Sequence, residues 1–282
     1  MKSYVSLIVL LIGALSFIRP ADADTIHCTA ISSLPATLSS AGVYCLTQDL
    51  TYAPISGSAV NITADSVMLD LNGHALRGTG ASNVESVGVN VAGQKYFTIT
   101  NGTIAGFSRG VAAVSDGKTR AKGGLIDHLK VQRSFLYGLL VDCDGCVIRD
   151  NMVTDTNVTA SFPDEQAVGI ALDGTGQLVT GNRVYNTFTL SNMPAFAISA
   201  SSSYSTVANN YVGNGSMGTN PTYGFIVSGQ SVLLSNNQAE LFSFCYWLQG
   251  VDLKYRDNLS GGCTDAFGGG ASGGTHDLGG NN

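Results

Sequence analysis

Charge is what this sequence has least of. Only 12% of its 282 residues are charged, and 14 Lys and Arg face 20 Asp and Glu, for a formal charge of −6. So few cations exclude a nucleic-acid surface, since phosphates are bound chiefly by Lys and Arg that displace counterions. Long apolar runs are also missing. The longest, from Val5 to Phe17, falls short of the about 20 residues a spanning helix needs, so no membrane span is expected. Helix formers are scarce, whereas glycine is abundant at 35 residues, a balance suited to stacked side chains and turns with positive φ.

The Val5–Phe17 run follows Lys2 and ends at Ala21-Asp22-Ala23, a small-x-small triplet of the kind signal peptidase cuts. Residues 1–23 read as a signal peptide and the product as secreted or periplasmic. Lys2, Arg19 and Asp22 leave with the leader, so the formal charge moves from −6 to −7. An oxidising destination lets the six cysteines pair. The sequence-local choice joins Cys28 to Cys45, Cys143 to Cys146 and Cys245 to Cys263, one of about 15 connectivities. Cys143-Asp144-Gly145-Cys146 also has the form of a redox or metal motif, but the second cysteine pair of a zinc site and the βαβ pattern of a thioredoxin are absent.

One short pattern recurs along the chain: an aromatic or apolar residue, often glycine, then apolar, any, apolar. It stands at Val87-Gly88-Val89-Asn90-Val91, Tyr137-Gly138-Leu139-Leu140-Val141, Val168-Gly169-Ile170-Ala171-Leu172 and Tyr223-Gly224-Phe225-Ile226-Val227, with a variant at Phe196-Ala197-Ile198-Ser199-Ala200. A period of two is a strand with one buried face and cannot keep an apolar stripe on a helix of period 3.6. Second strands follow and end in polar turns whose asparagines, 151, 182, 210, 237 and 258, are 31, 28, 27 and 21 residues apart. That interval fits a coil of two or three short strands. Asparagine suits such a turn because it tolerates the left-handed conformation and can pass an amide hydrogen bond to its counterpart one coil away. Ligand contact is the other use of such a row. A sandwich would show hairpin turns every 8 to 12 residues or so instead of this longer repeat.

The repeat resembles that of the pectate-lyase-like superfamily, and Val67-Met68-Leu69-Asp70-Leu71-Asn72-Gly73-His74 resembles the opening coil of bacterial right-handed β-helix repeat proteins. The resemblance covers roughly residues 59 to 260. It implies an all-β, right-handed parallel β-helix of about 7–9 coils with an N-terminal cap. Residues 24–58 would form the cap, 59–260 the β-helix, and 261–282 a glycine-rich C-terminal cap or tail. About activity it implies little, because the superfamily holds lyases, hydrolases, epimerases and non-catalytic adhesins.

A β-helix offers ligands the outer face of one sheet. If the residue after each glycine points inward, one outward column reads Asn90, Ala112, Leu140, Ala171, Ser199, Ile226 and Trp247, and the next reads Ala92, Val114, Asp142, Asp173, Ser201, Ser228 and Gln249. Asp142 and Asp173 would then be about 4.8 Å apart on adjacent coils. Like charges so close imply a shared proton, a bound cation such as calcium, or a neighbouring base, each useful against a glycosidic or uronide substrate. The alternative is a pair of solvated, screened carboxylates. Lys118, Arg120 and Lys122 form a basic stretch that either leans over the same groove to hold an acidic sugar or stays solvated. His74 and His128 read as turn residues, and His27 and His276 have no evident partner.

The Gly-His-Gly with paired aspartates of polygalacturonase-like hydrolases, the Asp-Pro-His of mannuronan epimerases and the Arg-x-Pro-x-x-Arg of pectate lyases have no match here. No catalytic residue therefore carries over. Two functions remain: a polysaccharide lyase or glycoside hydrolase acting on an acidic glycan through Asp142 and Asp173, with Lys118, Arg120, Lys122 and Trp247 binding substrate; or a non-catalytic module binding glycan or a surface partner.

Overall fold

The period-two segments become strands whose partners lie one coil away. A computed structural model of the chain describes residues 27–80, 85–158, 164–190, 193–215, 220–270 and 275–282. The signal peptide expected at 1–23 lies outside them. The described residues contain strands and turns but no helix. Ten strands stack into one sheet, here called the face sheet: Ala36–Leu38, Ser56–Ile62, Glu85–Ala92, Arg109–Val114, Tyr137–Asp144, Ala167–Asp173, Ala195–Ala200, Thr222–Val227, Phe244–Leu248 and Asp265–Gly268. They pair parallel, as in Tyr137–Asp144 with Ala167–Asp173. After each, the chain runs through the other walls and returns one coil further on, so the second large sheet holds 18 strands.

The residue after each glycine does point inward. Val89, Val111, Leu139, Ile170 and Ile198 are register partners and fully buried. Phe225, Tyr246 and Phe267 continue the column as stacked rings with centroids 5.1 and 4.8 Å apart. Each large apolar side chain buried this way stabilises the fold by about 1.5–3 kcal/mol. Within segment 24–58, Thr29–Ile31 pairs with Gly42–Leu46, and Ala36–Leu38 already pairs with Ser56–Ile62. At the other end, Thr275–Asp277 pairs with Leu253–Arg256.

All three local disulfides form, with Cα separations of 5.7, 5.8 and 5.8 Å for Cys28–Cys45, Cys143–Cys146 and Cys245–Cys263. Cys143 and Cys146 are fully buried. Their motif is thus a staple inside the stack, neither a metal pair nor an exposed redox centre.

The asparagine row is a continuous ladder. The backbone and side-chain amides of Asn151 donate to Oδ1 of Asn182 at 3.1 and 3.0 Å, and Asn182 repeats this toward Asn210, Asn210 toward Asn237, and Asn237 toward Asn258. Asn258 passes it to Asn281, a rung the spacing did not reveal. The two tasks assigned to these asparagines fall to different residues. The residue before each takes the left-handed conformation: Asp150 (φ 55°), Gly181 (69°), Asn209 (58°), Asn236 (53°), Asp257 (54°) and Gly280 (74°). His128, at φ 52°, holds the corresponding turn one coil earlier, which accounts for its place in the sequence.

Candidate functional site

Outward positions of the face sheet fall in the register that the alternation implies. Ala112, Leu140, Ala171, Ser199, Ile226 and Trp247 follow one another along one column. In the next, Asp142 pairs directly with Asp173, and the hydroxyls of Ser201 and Ser228 lie 3.1 Å apart.

A loop from the preceding coil resolves the like-charge conflict. After Arg109–Val114 the chain turns on Asp116, whose carboxylate accepts the N–H groups of Lys118 and Thr119 at 2.8 and 2.6 Å. Those two donors, Thr119 first, hold the Asp116 carboxyl below the usual carboxylate range. The loop returns as Ala121–Lys122, paired with Cys143 and Asp144, which sets Arg120 beside Asp142. Its Nε lies 3.0 Å from Asp142 Oδ1 and its Nη1 3.4 Å from Asp173 Oδ1. The first is an ion-pair contact without the alignment of a hydrogen bond. Asp173 Oδ1 also accepts the N–H of Gly174 at 2.6 Å. Gly174 has φ 111°, and a Cβ there would stand 2.9 Å from Arg120 Nη1 and 2.3 Å from Cys143 O. Only glycine leaves the guanidinium this seat.

Side-chain exposure is 37% for Arg120, 24% for Asp142 and 64% for Asp173. Open ion pairs contribute about 0–1 kcal/mol each, so the cluster fixes geometry more than it stabilises the fold. Beneath it, the buried Gln177 amide lies 2.8 Å from Cys143 O and 2.6 Å from Asp173 O, tying the two strand ends together. Beside it is a shallow hollow of about 190 Å³ lined by Tyr137, Leu140, Gln166, Ala171, Asp173 and Ser201 among others. Burial, with Glu165 adding to it, pushes the Tyr137 phenol above its ordinary value, so Tyr137 remains a protonated donor at neutral pH.

Of the basic stretch only Arg120 joins the carboxylates. Lys118 and Lys122 are exposed, and no ion pair among the described residues links them to Asp142 or Asp173. Asp116 and Asp144 share their surroundings, so no basic surface forms. Calcium does not fit the carboxylate pair: it wants six to eight oxygens or so, and the Arg120 guanidinium already bridges the two carboxylates as their cation. Trp247 lies on the same face, three coils from Asp173, with its indole edge-on to Tyr223 and Phe244. His74 and His276 lie outside this cluster, 3.6 Å from Asp49 and 3.7 Å from Asp252.

A family model described as "Right handed beta helix region" matches residues 87–246, more than half of the chain. The chain belongs to this family. Its coil is therefore the right-handed parallel β-helix. Among solved structures this β-helix is similar to the Dettilon tailspike protein gp208 (TM-score 0.55, 14% identity), over 91% of this chain and 59% of that one. It is also similar to the DFA-IIIase of Arthrobacter chlorophenolicus A6 (TM-score 0.51, 14% identity), over 83% of this chain and 64% of that one. The chain thus spans less than two thirds of either protein, and at such identity the likeness shows the fold alone. No curated protein sequence matches the chain.

Three features of this β-helix's face escaped the sequence reading. Gln177 and Tyr137 were not singled out. Phe196, Tyr223 and Phe244, each one residue before the glycine position of the repeat, form an outer column of stacked rings. The repeat itself carried that signal, since its first member is so often aromatic.

Proposed function

We propose that this protein is exported and hydrolyses polysaccharide on the face sheet, with Asp142 and Asp173 as the carboxylate pair and Arg120 as the group that positions them. The observation that carries the reading is the Arg120 loop, which crosses to two further coils to hold two carboxylates, of which Asp173 lines the hollow. Glycoside hydrolysis needs two such groups. One carboxyl of the pair would protonate the glycosidic oxygen as the bond to the anomeric carbon breaks, and the other would be the anion that attacks that carbon or takes the proton of the incoming water. An elimination would instead need a base for the proton α to a uronate. A guanidinium supplies donors only, and Lys118 and Lys122 do not reach the pair, so hydrolysis is favoured over the lyase alternative. The mixed charge around Arg120 lends no support to an acidic substrate. Export rests on the leader-like residues 1–23 and the three disulfides.

A non-catalytic glycan-binding module is the second reading, favoured by one observation: Arg120 neutralises both carboxylates at once. A reducing-end assay on pectate, alginate, hyaluronan and neutral glycans separates the two. New reducing ends without 4,5-unsaturated products are expected, with Asp142→Asn and Asp173→Asn each slowing release by at least about 100-fold, the scale of a positioned acid–base group. Unsaturated ends would establish a lyase. Binding without any cleavage would leave the non-catalytic module.

A further inference from the structure

The indole of Trp247 is set differently from the rings beside it. Phe196, Tyr223 and Phe244 are register partners on consecutive strands. Their rings stack along the helix axis at 5.2 and 4.9 Å, with interplanar angles of 29° and 15°, so they turn their edges outward. Trp247 is inclined by 76° to Tyr223 and by 69° to Phe244, which lays its plane along the axis. Its register partner in the next coil is Gly268. A Cβ there would stand 2.8 Å from both Cε3 and Cζ3 of the indole, with Phe244 Cδ1 next at 3.8 Å, so the Cε3–Cζ3 edge of the ring abuts that glycine. Trp247 is partly exposed, at an outward position of the face sheet after Ile226.

The strands around the indole carry no cation, and their one charged residue, Asp265, the register partner of Phe244, is an anion. On the strands of the Phe196, Tyr223 and Phe244 coils, the outward positions around the indole are Ser199, Ile226 and, in the next column, Ser201, Ser228 and Gln249. A flat ring edged by hydroxyls and an amide suits the C–H face of a pyranose, whose rim hydroxyls find partners while its apolar face covers the π system. A carboxylate or sulfate there would lose hydration with no cation to replace it. We infer that Trp247, braced by Tyr223 and Phe244 and abutting Gly268, is a stacking subsite for an uncharged pyranose unit, in a glycan that runs along the helix axis to Asp142 and Asp173. The inference rests on the reading that this face takes a glycan, and names its class. Three coil steps separate the indole from Asp173, about 14 Å. A sugar unit in an extended glycan advances by about one coil step, so the shortest ligand reaching both places has about four units.

Trp247 is the only tryptophan in the sequence, so intrinsic fluorescence reports this place alone. The purified full-length mature protein, titrated with neutral tetrasaccharides (cello-, xylo-, malto- and laminari-series) and with a galacturonate tetramer, is expected to show a saturable emission shift with at least one neutral series and none with the uronate. The shift should persist in Asp142→Asn, because stacking does not need the carboxylate, and the monosaccharide should bind at least tenfold more weakly than the tetramer. Tyr223→Ala, checked for an unchanged far-ultraviolet spectrum, should weaken the tetramer at least tenfold. A shift without cleavage would uphold the subsite and sink the hydrolase. Cleavage of a glycan that leaves the emission unmoved would overturn the subsite and keep the hydrolase. A shift produced by the uronate alone, or no shift and no cleavage with any glycan, would overturn the inference.

Discussion

Replacing Asn210 by alanine is expected to lower the unfolding free energy by about 3–5 kcal/mol, the upper end of what single substitutions do. Asn210 is 2% exposed and sits mid-ladder. Its Oδ1 accepts both the backbone and the side-chain amide of Asn182, and its own amide lies 3.0 Å from Val179 O, Ala208 O and Asn237 Oδ1. Alanine strands several of these groups without water, at about 1–3 kcal/mol each. Asn210→Asp keeps the acceptor but turns a second oxygen toward Val179 O, Ala208 O and Asn237 Oδ1, so it should cost at least as much as alanine. Asn209 is the internal control: one residue earlier, exposed, with φ 58°. Asn209→Gly meets that backbone demand and should change stability by less than about 1 kcal/mol. Urea unfolding followed by circular dichroism reads all three. Equal effects at 209 and 210 would mean that the buried ladder contributes no more than an exposed turn side chain.

A second large effect is expected at Gly169, one of the glycines at which neighbouring coils pack against the backbone with no room for a side chain. A Cβ there would stand 2.5 Å from Val184 Cγ1 and 2.6 Å from the carbonyl oxygen of Ala197 in the next coil. The carbonyl cannot yield without parting two hydrogen-bonded strands. Gly169→Ala should therefore cost at least about 2–3 kcal/mol through overpacking, and Gly169→Val should not give soluble protein. Gly145, at φ 65°, has nothing within 4 Å of an added Cβ. Gly145→Ala bears only backbone strain, about 1–2 kcal/mol. Melting temperatures of the two alanine variants compare packing with strain directly, and a Gly169→Ala protein as stable as Gly145→Ala would show that the coils have more slack than these distances allow.

The fold was legible because two periods were written into the chain at once. Alternation in Tyr137–Asp144 fixed which residues point inward, and the recurrence of asparagine fixed the coil length. Together they set the register that pairs Asp142 with Asp173. The ladder itself was legible, but its division of labour was not, since Asp150, Gly181 and Asn209 look like ordinary turn residues until their φ values are known. Arg120 is the clearest limit. It lies 53 residues from Asp173 in sequence, and only the pairing of Ala121–Lys122 with Cys143 and Asp144 turns it toward the carboxylates while Lys118 and Lys122 stay in solvent. Loop direction depends on local hydrogen bonds such as those of Asp116, which no periodicity encodes. The aromatic column was hidden for a different reason. The residue before the glycine belongs to the repeat, and the repeat alone does not say that this position faces outward and stacks along the coils.

The most direct measurement is a crystal structure of the Asp142→Asn variant with the neutral tetrasaccharide that most shifts the Trp247 emission. The account expects sugar density along the helix axis on the face sheet, one ring flat on the indole and the chain reaching Asp173 and Arg120. Density on another wall of the β-helix, or lying across the axis and away from Asp173, would contradict it.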